Sequence, residues 1–252
     1  MKTFYFTATG NSLAVAKSIG GELISIPRVE GSAPEVFRDD AIGIVFPTYA
    51  CSVPKIVRRF LSRVTFEAEY TFAIATYGNG KGAVTDEVRR LAEAGGYSFD
   101  YVNTVLMVDN YLPLFDVAAQ KKKLPAKKTD RQTAAIAADI AARRRFAPKC
   151  SALERLFTRL CSLVDVERED SARRFFSVDA GCALCGACAK VCPMNNVAVT
   201  DRVAFSDHCA CCLACVHACP QKAIHCKFER SSERWRHPDV TLQEIISSND
   251  RT

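Results

Sequence analysis

Two cysteine runs constrain this chain more than any other feature of its sequence. The first reads Cys182-Ala-Leu-Cys185-Gly-Ala-Cys188-Ala-Lys-Val-Cys192-Pro193, and the second, from Cys209 to Pro220, repeats its spacing 27 residues later. Each has the form C-x2-C-x2-C-x3-C-P, a pattern typical of bacterial iron–sulfur sites. Structural zinc is the alternative, because zinc also binds C-x2-C pairs. Zinc takes four ligands and has no use for the third cysteine of each run, so the pattern favours iron–sulfur clusters.

The segment from Cys182 to Pro220 resembles a two-cluster bacterial ferredoxin, in which the fourth cysteine of each run serves the other cluster. The resemblance implies two [4Fe-4S] clusters in a small α+β domain. It assigns four cysteines to each cluster: Cys182, Cys185, Cys188 and Cys219 to one, and Cys209, Cys212, Cys215 and Cys192 to the other. His208 and His217 lie beside these cysteines and are interpreted as packed or partly exposed side chains, because the resemblance already supplies eight thiols.

The remaining five cysteines show no pairing pattern, and we interpret them as small buried residues. They are Cys51, Cys150, Cys161, Cys211 and Cys226. Thiolate-held clusters favour a reducing interior, and the apolar run at the N-terminus is too short for a signal peptide. No apolar run reaches the roughly 18 residues that a membrane-spanning helix needs. We therefore expect a cytoplasmic protein without a membrane span.

The N-terminal segment predicts a phosphate-binding loop. Residues 2–6 are apolar and aromatic, as in a buried strand, and residues 13–19 have helical spacing. The loop between them is Thr7-Ala-Thr9-Gly10-Asn11-Ser12. A loop between a strand and a helix start directs backbone N–H groups and hydroxyls at an anion, and glycine adds conformational freedom. A simple turn with a Ser or Asn helix cap is the alternative.

The loop at residues 7–12 is similar to the phosphate loop of flavodoxins, a family with a doubly wound, five-stranded parallel α/β sheet that binds FMN. The resemblance covers residues 1–145, with further strands predicted at 23–26, 41–46, 70–75 and 103–108 and helices at 53–62 and 83–94. Ligands of such sheets bind beyond the carboxyl ends of the strands. The resemblance therefore implies an FMN site in the loops there, formed by Thr7, Thr9, Gly10, Asn11, Ser12, Pro47, Thr48, Tyr49, Ala50, Thr76, Tyr77, Gly78, Asn79, Gly80 and Asn110.

Two tyrosines are the candidates to stack on the flavin ring. They are Tyr49 and Tyr77, and packing against the sheet is the alternative for each. Asp109 also lies near the flavin loops, where a strand-end cap is the favoured interpretation.

A basic segment accounts for the net charge of +6. Residues 111–145 hold nine basic and three acidic residues, whereas residues 1–110 hold 11 basic and 12 acidic ones. A solvated helical surface is one interpretation, and a docking face at residues 121–145 for an acidic redox partner is the other. No nucleic-acid-binding motif accompanies the charge, so we expect no nucleic-acid partner.

The rest of the chain is predicted to be mostly helical, with short strands near the cysteine runs. Residues 113–130 are predicted to be irregular and are followed by helices at 129–145 and 151–164. Short strands are predicted at 175–178, 203–205 and 224–228, and a last helix at 241–247. The predicted division is a flavodoxin-like domain at 1–145, a helical linker at 146–176, a ferredoxin domain at 177–229 and a tail at 230–252 of open role.

Over almost its full length, the chain resembles flavodoxin–ferredoxin fusion proteins. The resemblance implies an electron carrier that passes electrons between FMN and two [4Fe-4S] clusters and on to a redox partner protein. The alternative is an enzyme, a flavin-dependent reductase of a small molecule whose clusters feed FMN. No complete G-x-G-x-x-G fingerprint for a pyridine nucleotide opens a βαβ unit. Whether the protein is a monomer or a homodimer stays open.

Overall fold

The computed structural model describes residues 1–29, 35–163 and 172–250. The first part of the chain alternates strands and helices: β1 (Lys2–Tyr5), α1 (Asn11–Ile19), β2 (Glu22–Ser25), α2 (Ile26–Val29), β3 (Glu35–Arg38), β4 (Ala41–Pro47), α3 (Lys55–Leu61), β5 (Val64–Glu67), β6 (Tyr70–Tyr77), α4 (Val84–Ala94) and β7 (Tyr101–Leu106). The second part is richer in helices: α5 (Val117–Lys122), α6 (Leu124–Lys127), α7 (Thr129–Ala141), α8 (Ala152–Cys161), α9 (Ala172–Phe175), β8 (Phe176–Val178), α10 (Ala187–Lys190), β9 (Val197–Val199), β10 (Val203–Phe205), α11 (Ala214–Ala218), β11 (Ile224–Cys226) and α12 (Leu242–Asn249).

Five parallel strands form the central sheet, in the order β2-β1-β4-β6-β7. Numbered within the sheet, this is 2-1-3-4-5, the order of flavodoxin-like α/β folds. The central strands β4 and β6 are nearly continuous buried apolar runs, as expected where helices cover both faces of a parallel sheet. The predicted five-stranded α/β sheet is confirmed, although its last strand begins two residues earlier than predicted, at Tyr101.

Apolar clusters cover both faces of the sheet, and two of them extend beyond it. One face packs against α3 and α4, and the other against α1 and α7. The second cluster also contains Val191, Ala214, Val240 and Ile245, from the cysteine-rich region and the tail. A third cluster joins Val108, Leu112 and Val117 to the cysteines themselves. The predicted domain boundaries are therefore crossed by shared packing, and the division itself stays a prediction.

The cysteine-rich region consists of short elements. Strand β8 pairs antiparallel with β11, and β9 pairs antiparallel with β10. Helices α10 and α11 pack against each other, and each contains the third cysteine of its run, Cys188 or Cys215. This arrangement brings the two runs together.

Residues 230–250, called the tail below, join the sheet to the cysteine-rich region. Glu244 in α12 accepts a hydrogen bond from Lys17 Nζ at 2.7 Å, and Ser248 Oγ lies 2.8 Å from the Tyr5 hydroxyl. Asn249 Nδ2 donates to the Val191 carbonyl at 2.9 Å, on the cysteine side. The tail, for which the sequence predicted no role, therefore connects the sheet to the cysteine-rich region.

Several predictions of secondary structure need correction. In the cysteine-rich region, strand β9 was not expected, and the strand predicted at 224–228 ends at Cys226. Strands β3 and β5 were not expected; they pair in parallel beside the main sheet. The segment predicted to be irregular contains α5 and α6, and Pro125 stands in the first turn of α6, where proline is tolerated. Helix α7 ends at Ala141 rather than at residue 145, and α8 ends at Cys161 although it was predicted to continue to residue 164, which lies outside the described residues. Within the described ranges, no helix has the length and apolar character that crossing a membrane requires.

Candidate functional site

A cavity of about 300 Å³ opens beyond the carboxyl ends of β1, β4, β6 and β7. Fourteen of the 15 residues predicted to bind FMN line it: Thr7, Thr9, Asn11, Ser12, Pro47, Thr48, Tyr49, Ala50, Thr76, Tyr77, Gly78, Asn79, Gly80 and Asn110. Gly10 does not. Its φ of +94° is left-handed, and an added Cβ would lie 2.9 Å from Val240 Cβ, so it faces the tail. Glycine is required there for backbone conformation and close packing together.

The phosphate end of the cavity, defined as residues 7–12 with the start of α1, is internally hydrogen-bonded. The Gly10 N–H donates to Thr7 Oγ1 at 3.1 Å, and Asn110 Nδ2 donates to Thr9 Oγ1 at 2.5 Å. Ser12 Oγ and Thr76 Oγ1 are 2.9 Å apart. These bonds fix the loop, and the first turn of α1 presents N–H groups that have no partner within the helix. The phosphate end therefore suits an anionic group.

The ring end of the cavity is defined by residues 47–52, residues 76–82 and α8. Tyr49 meets Phe6 edge-on, with ring centroids 6.2 Å apart. Ala50 and Cys51 have φ values of 44° and 63°, which is uncommon for residues other than glycine and clusters at functional sites. Thr48 Oγ1 is buried without a hydrogen-bond partner among the described residues. A buried hydroxyl without a partner costs about 1–3 kcal/mol, which a ligand with a polar edge would recover.

A partly buried carboxyl group, that of Asp109, also lines the cavity. Asp109 Oδ2 accepts from Asn79 Nδ2 at 3.0 Å, and burial raises the pKa of Asp109 above its usual value. Gly78 approaches it so closely that an added Cβ would lie 2.3 Å from Asp109 Cβ. Below this loop, Lys127 Nζ donates to the carbonyls of Gly78 at 2.7 Å and Met107 at 2.5 Å. Lys127 is therefore an internal anchor of the loop and not part of a basic surface.

Several lining residues were not predicted from the sequence. Phe157 and Cys161 reach the cavity from α8, which the sequence presented only as a linker helix. Others follow β7 or belong to the second cysteine run: Leu114, Phe115, Cys211, Cys212 and Leu213. These contacts join segments that are far apart in the chain, so no local sequence pattern predicts them.

Two smaller cavities lie within the cysteine-rich region. Cys182, Cys185, Cys188 and Cys219 line one, and Cys192, Cys209, Cys212 and Cys215 line the other. These are the two sets that the ferredoxin resemblance implies, and four thiols around one cavity match the donor chemistry of a cluster. Across residues 1–29, 35–163 and 172–250, no three His, Cys, Asp or Glu side chains could hold a single metal ion.

The large cavity and the second cysteine cavity are neighbours. Cys212 and Leu213 line both of them. Cys212 also packs against two apolar clusters of the sheet. The wall between the two sites is therefore formed by single side chains.

Hydrogen bonds through His217 connect the second cysteine run to the loop after β7 and to the tail. Its Nδ1 accepts from the Trp235 backbone N–H at 3.1 Å, so the proton lies on Nε2, which donates to the Asn110 carbonyl at 2.8 Å. Trp235 Nε1 donates to Asn11 Oδ1 at 2.9 Å. Burial lowers the pKa of His217 to about 4, in agreement with a neutral ring. His217 is a packed side chain, and His208 is exposed.

Much of the basic segment is engaged within the chain. Lys121 pairs with Glu233 at 2.6 Å, and Arg143 pairs with Glu69 at 2.8 Å and Asp40 at 3.2 Å. Arg144 pairs with Asp139 at 3.2 Å and Arg145 with Asp100 at 3.4 Å. These pairs and the burial of Lys127 reduce the charge that residues 121–145 can offer to a partner.

No protein-family model matches the chain, and no curated protein matches it. Among solved structures, it is similar to a candidate flavoprotein from Bacteroides uniformis at 17% identity and a TM-score of 0.33, over 48% of this chain and 94% of the other. It is also similar to rubredoxin:oxygen oxidoreductase from the anaerobe Desulfovibrio gigas at 12% identity and a TM-score of 0.33. That alignment covers 54% of this chain and 36% of the other. The fold assignment rests on the strand order of the sheet itself.

Proposed function

We propose that this chain is an electron-transfer protein that binds FMN in the large cavity and a [4Fe-4S] cluster at each of the two cysteine sets. Electrons would pass between these cofactors and on to a redox partner protein. FMN exchanges two electrons and can pass them singly to one-electron carriers such as iron–sulfur clusters. The observation that carries the proposal is the lining that Cys212 and Leu213 share between the large cavity and the second cysteine cavity.

The lining of the large cavity suits FMN at both of its ends. Residues 7–12 would hold the phosphate through backbone N–H groups at the start of α1. At the ring end, Tyr49 offers an aromatic wall, and the unpaired Thr48 Oγ1 offers a hydrogen bond to the polar edge of the ring. The residue types of each end therefore match the part of the cofactor that would lie there.

The large cavity and the second cysteine cavity lie close together, and the side chains between them are shielded from water. Leu213 is 2% exposed and Cys211 is 4% exposed, so water has little access between the two cavities. The His217 bonds to Asn110 and Trp235 fix the cysteine-rich region against the loops of the sheet. Joining donor and acceptor in one chain raises their effective concentration. These features support transfer within the molecule.

The size of the cavity favours a carrier over a reductase. Ligand pockets range from about 300 to 1,000 Å³, and this cavity lies at the lower end of that range. Leu114, Phe115 and Phe157 also line it. One cofactor-sized ligand therefore leaves little room for a separate substrate.

Anaerobic purification with cofactor analysis tests the proposal. We expect FMN and roughly eight iron and eight sulfide per chain, the content of two [4Fe-4S] clusters. Cys212→Ser should lose about half of the iron, whereas the matched variant of its neighbour, Cys211→Ser, should keep all of it. Zinc in place of iron, a colourless protein or equal iron in the two variants would contradict the assignment. Turnover with NAD(P)H and a small acceptor, without a partner protein, would favour the reductase.

The partner is proposed to carry an acidic surface that docks on residues 121–145. Lys122 and Lys123 are exposed in this segment and are suited to steering at low ionic strength. Reversing both charges should slow electron delivery to such a partner, and the difference should shrink as salt is added. Rates that are unchanged at low salt would remove this segment from the docking surface.

A further inference from the structure

Two cysteines outside the runs meet at the ring end of the large cavity. Cys51 Sγ lies 2.9 Å from Cys161 Sγ, although 110 residues separate them in sequence. Both thiols are free, and both line the cavity. A disulfide has an S–S length of about 2.05 Å, so a closing movement of about 1 Å would bring these sulfurs to bonding distance.

The strained loop at residues 47–52 fixes the position of Cys51. The φ of 63° at Cys51 is left-handed, and the Tyr49 and Ser52 backbones bond to each other at 3.0 and 2.9 Å. Gly82 packs so tightly on Cys51 that an added Cβ would lie 2.6 Å from Cys51 Cβ. Cys51 therefore has little freedom, and any closing movement belongs to α8.

Helix α8 is attached to the start of α4 and to the loop before it. None of its residues is buried. Thr158 Oγ1 accepts from the Ala83 N–H at 2.7 Å, Arg155 pairs with Asp86 at 2.9 Å, and Glu154 pairs with Lys81 at 3.1 Å. The Glu154–Lys81 pair is partly exposed, and such pairs contribute about 0–1 kcal/mol, whereas Arg155 pairs with the buried carboxylate of Asp86. Because α8 has no buried residue of its own, it can open locally while the core stays folded.

We propose that Cys51 and Cys161 form a reversible disulfide that fastens α8 over the ring end of the cavity. The reduced pair leaves α8 held by noncovalent contacts alone, and the oxidised pair adds a covalent bond at the point where the helix meets the cavity. In a reducing interior the pair stays reduced until the thiol–disulfide balance shifts. Formation of this disulfide requires only that α8 lies against the cavity. It does not depend on which molecule the cavity binds.

The oxidant is a small disulfide, RSSR, such as oxidised glutathione. Cys161 is partly exposed and Cys51 is 6% exposed, so the Cys161 thiolate attacks first, forms a mixed disulfide and releases one RS⁻. The Cys51 thiolate then attacks the Cys161 sulfur, forms the Cys51–Cys161 bond and releases the second RS⁻. In total, two protein thiols lose two electrons and two protons, and RSSR becomes two RSH.

The experiment uses the full chain, purified anaerobically and equilibrated with oxidised glutathione. Free thiols are trapped with an alkylating agent, and disulfide-linked peptides are mapped by mass spectrometry. A second measurement follows tryptic cleavage after Arg155 and Arg159, which lie in α8. We expect a 51–161 link and cleavage slower on the order of tenfold, because the link removes local opening of the helix. Dithiothreitol should reverse both effects.

Matched variants separate the pair from other thiols. Cys161→Ser, with Cys161→Ala as a second variant, should show neither the link nor the protection. Cys150→Ser should show both, because Cys150 lies elsewhere, with its Sγ 3.0 Å from Thr85 Oγ1. A stable glutathione adduct on Cys161, a link from Cys161 to another cysteine, or a 51–161 link without protection of α8 would overturn the proposal. None of these measurements uses flavin or iron, so this failure is distinguishable from failure of the proposed function.

Discussion

The two ends of the large cavity are built in opposite ways. At the phosphate end, the His237 N–H donates to the Thr9 carbonyl at 2.9 Å, and Trp235, only 6% exposed, bonds to Asn11. At the ring end, the corresponding cover is α8, in which Phe157 is 45% exposed. One end is part of the folded core, and the other is covered by a helix on the surface. We expect the first to determine stability and the second to determine access.

The largest contrast is expected between two aromatic side chains, one at each end. Trp235→Ala removes a buried ring and its bond to Asn11, and should lower the free energy of unfolding by about 3–5 kcal/mol. The matched variant Phe157→Ala should cost less than about 1 kcal/mol, because its ring is half-exposed. Denaturant unfolding of the two variants measures the difference. Equal losses would show that α8 belongs to the core.

Replacing one glycine at each end of the cavity by alanine tests the same contrast in the backbone. Gly10→Ala places a side chain at a φ of +94° and against Val240, and should cost about 2–4 kcal/mol. Gly80→Ala places its Cβ 2.7 Å from the Phe157 ring, which can move with α8, and should cost less than about 1 kcal/mol. Thermal unfolding of both variants tests this. A larger loss from Gly80→Ala would reverse the assignment of the rigid end.

Two capping boxes allow a smaller test, on the helix that covers the ring end and on the helix of the tail. Ser151 and Glu154 cap α8, and Thr241 and Glu244 cap α12. Loss of such a cap costs about 1 kcal/mol. Thr241→Ala should lower global stability by about that amount, because α12 packs in the core. Ser151→Ala should speed amide exchange within α8 and leave global unfolding unchanged. If both variants lowered global stability, α8 would belong to the core as α12 does.

The smallest expected effect is the pH dependence of the same α12 cap. Hydrogen bonds from Lys17 and from Thr241 lower the pKa of Glu244 to about 2, against an ordinary value of 4.5. Its contribution to stability is therefore present above pH 4.5 and is lost as pH falls through about 2. Glu244→Gln should be less stable than the parent protein at neutral pH and should converge with it near pH 2. A difference that persists at pH 2 would assign the contribution to something other than charge.

The sequence predicted the sheet well because its strands carry their own signal. Strands β4 and β6 are continuous apolar runs that periodicity identifies without reference to the rest of the chain. Strand β3 was missed because its four residues alternate between partly buried and exposed, and none of them is fully buried. The loops of the cavity could be located because parallel strands end on one side of the sheet.

Contacts between distant segments could not be predicted in the same way. The meeting of Cys51 with Cys161 depends on where α8 lies, and the role of Gly10 depends on where the tail passes. Lys127 was grouped with surface lysines because its neighbours in sequence are basic, whereas its partners are carbonyls at residues 78 and 107. The sequence gives the charge and spacing of a residue, but its contacts depend on how distant segments pack together.

The bond between Tyr5 and Ser248 has a consequence for how the molecule is made. These two residues lie 243 positions apart, and the side chains meet on the face of the sheet that α1 covers. A ribosome adds about 5–20 residues per second, so β1 waits many seconds for α12 to be synthesised. During that interval we expect the part of this face against which α12 packs to stay open to water. We therefore expect this nascent chain to bind a chaperone that shields apolar surface until α12 has been synthesised.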